Sequence, residues 1–315
     1  MSPTKVARVR IKSVLSMVVV VLVLSFLALL AVRLITGRSL GLRSFVSFRI
    51  QSLSSLGQAV IDSRRVRSYT YGEFTNVIFL HHSVGHNLIE QGGVRERLTE
   101  AGYNFWDHGY SWHGLRGPDG SPTGYSYNIP DDNTDPDGLA RVFAQRAYGI
   151  PLNAFSGLLQ HEVIIFKSCF PVSHISSHGQ LERYRTYYLA MRDVMDQHPD
   201  RIFIVVTPPP LNPAETNAEA ATRARAFANW LKSDAYLGGH PNAFTFDLFG
   251  YLAEDDPTSP DYNMLRKAYR DESDSHPNRA ANEKIGPLFV DFITDAVQRY
   301  RAVYESMVFS SRSGD

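Results

Sequence analysis

From Tyr71 onward, short runs of consecutive apolar residues alternate with longer stretches whose apolar positions recur at helical spacing. The runs are NVIFL (76–80), EVIIFK (162–167), RIFIVV (201–206) and AFTFDL (243–248). Helical stretches follow them: one through Leu98, one over Gln180–Gln197, one near Glu215–Ser233 and one from about Pro277 to Tyr300. Strands that are apolar along their whole length are buried on both faces, and strands separated by helices pair in parallel. The pattern therefore predicts an α/β domain over 71–305, a three-layer α/β/α doubly wound parallel sheet. Such sheets bind ligands at the carboxyl ends of their strands, which directs attention to the loops after 80, 167, 206 and 248. A further stretch, Asp107–Asp137, is rich in Gly, Pro, Asp and aromatic residues and is too long for an idle connection, so it is expected to shape a pocket or lid.

Upstream the pattern changes. Val14 to Val32 is nineteen residues without a charge, enough as a helix to cross a hydrocarbon core of about 30 Å. The run exceeds a signal-peptide core of about 7–15 residues, which favours a retained single-pass anchor over a cleaved leader. This reading divides the amino-terminal region into a basic tail (1–13), a transmembrane helix (14–35) and a basic juxtamembrane segment (36–70), and leaves 306–315 as a flexible tail. Lys5, Arg8, Arg10 and Lys12 before the span are matched by Arg33, Arg38, Arg43 and Arg49 after it, so charge does not orient it. Leu42, Phe45, Val46, Ile50, Leu53, Leu56 and Val60 recur at near-helical spacing, which suits either a basic amphipathic helix on a lipid surface or a stalk packed on the body.

Composition narrows the function. With 43% apolar residues in 315, the chain can bury a large core. Of 32 basic and 32 acidic residues, eleven basic and one acidic (Asp62) lie within 1–70, leaving 21 and 31 in the rest. An acidic body offers phosphates no basic patch, which excludes a nucleic-acid partner. The one cysteine, Cys169, rules out an internal disulfide and a cysteine-based metal cluster.

The candidate chemistry lies at strand ends. FLHHSVGHNLIEQGG places Ser83 where the first strand meets a helix, beside unpaired backbone N–H groups and the positive end of a helix dipole. That position suits a nucleophile whose attack creates an oxyanion, although a plain helix cap is what Ser most often does there. Near the other end, RDESDSHPNRAANEKIGPLF puts an acid and a histidine in the loop before the last helix, where His276 can take the Ser83 proton and Asp274 can hold the imidazole. Read structurally, His-Pro-Asn is a turn and helix start.

Ser83 at one such edge and Asp-x-His-Pro-Asn at another resemble the SGNH (GDSL-like) hydrolase superfamily, with HHS-x-G as a divergent nucleophile turn. The likeness covers about 71–300 and includes the Pro-rich TPPPLNP (207–213). It implies the flavodoxin-like SGNH fold and ester hydrolysis with no cofactor and no metal. Two departures stand out. The family's Gly-Asp-Ser is here His81-His82-Ser83, and its Gly-x-Asn-Asp is replaced by Lys167-Ser168-Cys169-Phe170-Pro171. Oxyanion donors are then sought among the backbone of Ser83 and Gly85, with Lys167, Ser168 or Cys169 lining the same site; Lys167 as a solvated or ion-paired side chain is the alternative. For the acid, the family's D-x-x-H spacing falls on Ser273, so Asp274 and Glu272 compete, with Asp274 favoured.

Rival sites are weaker. Cys169 paired with His276 is a possible thiol nucleophile, although a buried strand-end cysteine is ordinarily inert. His81, His82 and His86 lack the spacing of a zinc motif. Asp131, Asn133, Asp135 and Asp137 partly resemble a calcium loop but lack its glycine and closing Glu. Trp106, Trp112, His113, Tyr125 and Tyr127 suit stacking on a sugar ring or packing in a core or lid. The expected function is a membrane-anchored serine esterase, its catalytic domain on the extracytoplasmic side, removing O-acyl groups from a carbohydrate or envelope polymer. An O-acyltransferase and a non-catalytic glycan-binding module are the alternatives; the partners are the ester substrate and the membrane, and oligomeric state is open.

Overall fold

The computed structural model describes the backbone of residues 42–109, 113–130 and 135–312, with side chains over 54–305 of that range. The tail at 1–13, the predicted span at 14–35, Trp112, Asp131 and Asn133 lie outside the described residues. Among the described residues no helix is long and apolar enough to cross a membrane.

The apolar runs form the strands that the pattern predicts: β1 (Asn76–Leu80), β4 (Val163–Lys167), β5 (Ile202–Val206) and β6 (Ala243–Phe246). The pattern misses β2 (Asn104–His108) and the two-residue β3 (Leu115–Arg116). The sheet order is β3-β2-β1-β4-β5-β6, with β3 antiparallel and all other pairs parallel. Without β3 this is the flavodoxin-like order, whose direction of winding reverses beside β1.

Side-chain alternation along each strand feeds two cores. Ile78, Leu80, Ile164 and Phe166 face one layer of helices, α4 (Pro136–Phe143), α6 (His178–Met195) and α7 (Ala218–Leu231). Val77, Phe79, Val163 and Ile165 face the other, α2 (Ser83–Gly92), α3 (Val94–Glu100) and the long carboxyl-terminal α10 (Arg279–Arg312). Short helices α5 (Ala154–Leu158), α8 (Asp234–Leu237) and α9 (Leu248–Leu252) complete the layers. The last helix continues to Arg312, through most of the stretch read as a flexible tail.

The amphipathic stretch forms helix α1 (Leu42–Arg67). The compact body spans Leu56–Asp315, so it begins inside the segment read as juxtamembrane. Over its last turns α1 buries Ala59, Asp62, Ser63 and Val66, and the Ser63 hydroxyl donates to Gln160 Oε1 at 2.8 Å. Leu56, Val60 and Ile61 remain exposed, so the face that packs is not the one the apolar spacing marks.

Candidate active site

β1 runs out at Leu80, and two residues later the chain turns into α2. His82, in an extended conformation (φ −126°, ψ −160°), occupies the N-cap position and Ser83 the first helical one. Ser83 is therefore not the cap. Its hydroxyl lies 2.7 Å from His276 Nε2, and His276 Nδ1 lies 2.7 Å from Asp274 Oδ1. The same Oδ1 accepts the His276 backbone N–H at 3.0 Å. Slight burial pushes the Asp274 carboxyl up, but these bonds and the adjacent histidine outweigh it and hold it below the usual carboxylate range. Glu272, the competing acid, sits at φ +48° and contributes its backbone carbonyl to Asn212. The Phe170 and His276 rings pack edge to face with centroids 4.9 Å apart.

The loop that carries Asp274 and His276 is braced by residues the motif search passes over. Asn212, in the Pro-rich segment after β5, donates its side-chain amide to the carbonyls of Glu272 and Asp274 and its backbone N–H to Ser275 Oγ. Ser275 in turn donates to Glu215. TPPPLNP therefore acts as a brace, since its prolines are compatible with a stiff extended segment and its asparagine clamps the histidine loop.

A second device sets the distance between the helix that begins at Ser83 and the helix that follows His276. Helices α2 and α10 meet at Gly92 and Gly286, where a Cβ on Gly286 would lie 2.2 Å from the Gly92 carbonyl oxygen. Only bare backbones approach this closely. Beside the crossing, the Asn282 side chain donates to Gln91 Oε1 and to the carbonyls of Pro277 and Asn278. The helix that starts with Ser83 and the helix that follows His276 are thereby locked together.

The remaining candidates separate. Gly85 has no room for a side chain, because its Cβ would come within 2.4 Å of His81 Cβ. Its N–H precedes the helical ladder, whose first bond runs from His86 N to the His82 carbonyl at 2.9 Å. Lys167 is neither solvated nor, among the described residues, ion-paired; it is fully buried, its amine donates to the Ser168 carbonyl at 3.3 Å, and burial lowers its pKa. Ser168 must be withdrawn as an oxyanion donor, since strand alternation turns its hydroxyl to Tyr188 Oη at 2.8 Å in the opposite core. Cys169 is buried, and the nitrogen of His276 that would activate it faces Ser83. Trp106 and Tyr127 are buried in the core, so they offer no platform to a sugar; Tyr125 is half-buried and donates to the Pro151 carbonyl at 3.0 Å. Asp135 precedes α4, and Asp137 pairs with Arg141 at 2.8 Å on the surface.

Sequence reasoning also misses a buried charge cluster beneath the nucleophile turn. His81 Nε2 lies 3.0 Å from Asp107 Oδ2, and Asp107 is joined by Arg95, which also donates to the carbonyls of Phe105 and Gly117 at 2.8 Å. Burial alone would raise the Asp107 carboxyl; the His81 bond and the charges of His81 and Arg95 outweigh it and hold the group low. The available signal was a carboxylate inside the apolar run NFWDH.

No family model and no curated protein matches this chain. Among solved structures it is similar to the crystal structure of a "putative acylhydrolase" from Bacteroides fragilis, with 12% sequence identity, a TM-score of 0.44, and coverage of 70% of this chain and 87% of that one. At that distance the likeness carries no chemistry, which rests on the hydrogen-bonded line Ser83–His276–Asp274 at the carboxyl edge of a flavodoxin-ordered sheet.

Proposed function

We propose that this chain is a serine hydrolase of the SGNH type that cleaves esters through an acyl-Ser83 intermediate. The observation that carries the reading is the pair of 2.7 Å contacts joining Ser83, His276 and Asp274. His276 Nε2 takes the hydroxyl proton as Oγ attacks the ester carbonyl carbon, and the oxyanion forms in front of the first-turn N–H groups of α2. The intermediate collapses with cleavage of the ester C–O bond, and His276 returns the proton to the departing alcohol. Water, deprotonated by the same nitrogen, then releases the acid. Asp274 keeps the Nδ1 proton in place and stabilises the imidazolium that forms at each step.

Hydrolysis is favoured over transfer to a second alcohol by the openness of the dyad: the His276 and Asp274 side chains are 29% and 59% exposed, so water reaches them. The proposed setting is the extracytoplasmic face of a membrane, with residues 14–35 as anchor and an O-acylated carbohydrate or envelope polymer as substrate. The apolar run and the basic leader support the anchor.

The test uses the full-length chain in detergent with p-nitrophenyl acetate. Wild type is expected to turn over, with Ser83→Ala and His276→Ala each lowering kcat by roughly 10³-fold or more. A fluorophosphonate should leave its adduct on the Ser83 peptide. Turnover that survives Ser83→Ala, or a wild type at background with no adduct, would sink the reading.

A further inference from the structure

We propose that His81 is a positioning residue of the oxyanion site: held by Asp107, its ring donates twice, fixes the His82 carbonyl and so aims the Ser83 N–H at the space where the oxyanion forms. The proposal rests on the hydrolase reading of Ser83.

The partners of the ring count its protons. His81 Nε2 faces the Asp107 carboxylate at 3.0 Å and His81 Nδ1 faces the His82 carbonyl oxygen at 2.9 Å. Both partners are acceptors, so a ring that satisfies both carries two N–H groups and a positive charge. His108, on β2, shows the contrast. Its Nε2 accepts the Tyr127 backbone N–H at 3.2 Å while its Nδ1 donates to the Gly109 carbonyl at 2.9 Å, so that ring needs only one proton.

Peptide planarity passes the hold on to Ser83. The His82–Ser83 bond is a planar trans amide, in which the His82 C=O and the Ser83 N–H point in opposite directions. The His82 oxygen accepts twice, from His86 N at 2.9 Å along the helix and from His81 Nδ1. Pulling that oxygen along the helix therefore turns the Ser83 N–H the other way, past the amino-terminal end of α2. A charged donor on the carbonyl also polarises the amide and strengthens its N–H as a donor.

The turn also packs tightly against the His81 side chain. Gly85 lies in the first turn of α2, where a Cβ would come within 2.4 Å of His81 Cβ and 3.0 Å of its Cγ. The His81 ring also packs on Phe79 with centroids 5.3 Å apart and stacks on His86 at 6.3 Å and 19°. Burial and then the His81 charge lower the pKa of His86. The His81-His82-Ser83-x-Gly85 spacing thus describes one device, in which a cationic ring wedged under the turn does the holding.

Two near-isosteric substitutions separate positioning from mere support. Asn places its amide nitrogen where Nδ1 sits and keeps the bond to the His82 carbonyl; Gln places it where Nε2 sits and keeps the bond to Asp107. With p-nitrophenyl acetate and the full-length chain, His81→Gln is expected to lower kcat by about 10²-fold with KM within about threefold, the signature of a lost oxyanion donor. His81→Asn is expected to recover at least about tenfold of that loss, although it abandons Asp107. A structural role predicts the reverse order, so a Gln variant as active as the Asn variant or more so overturns the proposal. If neither variant folds, nitrogen NMR of the wild-type His81 ring decides: two ring N–H signals support the proposal and a bare Nδ1 overturns it. A wild type without Ser83-dependent turnover removes the hydrolase reading itself, an outcome distinct from wild-type activity indifferent to His81.

Discussion

Two histidine–aspartate pairs flank the nucleophile turn, and their difference lies in what faces the far nitrogen of each ring. In His276–Asp274 the second nitrogen meets the Ser83 hydroxyl, a group able to give up a proton; in His81–Asp107 it meets a backbone carbonyl, which can only accept. The first pair sits in a loop open to water, its side chains 29% and 59% exposed, and the second is 3% and 4% exposed. The same two residue types thus form an open pair facing a hydroxyl in one place and a buried pair facing a carbonyl in the other. A histidine that has to exchange protons with substrate needs access, whereas one that holds geometry is best kept from solvent.

Replacing each aspartate by asparagine tests that division most severely. Asp107→Asn leaves the charges of Arg95 and His81 buried without their carboxylate and is expected to cost about 3–5 kcal/mol of stability, seen as a large fall in the urea midpoint or as failure to fold. Asp274→Asn, at an exposed position, is expected to change stability by less than about 0.5 kcal/mol while lowering kcat by roughly 10²- to 10⁴-fold. Similar losses of stability in the two variants would abolish the distinction.

A milder perturbation acts on the spacing between relay and nucleophile. Gly286→Ala forces a methyl against the Gly92 carbonyl and should cost about 1–3 kcal/mol, with a parallel drop in kcat as His276 moves off Ser83. Gly57→Ala, on α1 with no atom within 4 Å of the added Cβ, should instead be neutral or slightly stabilising. Equal unfolding midpoints and kcat for Gly286→Ala and wild type would show that the crossing does not set the site.

A third carboxylate, Asp62, sharpens what His81 and Arg95 do for Asp107. Asp62 is buried, and its Oδ2 has no hydrogen-bond partner among the described residues. Burial pushes its pKa up to about 7 from an ordinary 3.8, against a smaller opposing effect of Arg65. The folded state therefore keeps a proton that the unfolded chain releases, and the stability linked to it is full below pH 3.8 and lost as pH rises through about 7. Asp62→Asn should raise the melting temperature over wild type by an amount that grows between pH 4 and 7 and is constant above. A difference independent of pH would mean that Asp62 is ionised in the fold.

Local pattern carried a large part of this molecule. The four apolar strands and their order of helices follow from periodicity, because a strand buried on both faces has no polar alternative. Ser83, His276 and Asp274 were readable as candidates because each stands at a helix start or in the loop before one, where the topology of a doubly wound sheet gathers them at one edge. β2 was missed since Asp107 and His108 break its apolar run, and they are tolerated there only because Arg95, His81 and Tyr127 arrive from elsewhere to meet them.

The sequence by itself determined the α/β class, the strands that can be buried and the short set of groups able to do acyl chemistry, since these depend on composition and spacing along the chain. Tertiary structure set Asp274 and not Glu272 against the His276 ring, turned Ser168 into the opposite core, brought Gly92 against Gly286 and gave His81 its two acceptors. Each of those outcomes is a contact between residues distant in the chain or a direction in space, and its energy depends on separations of a few ångströms that no linear spacing encodes.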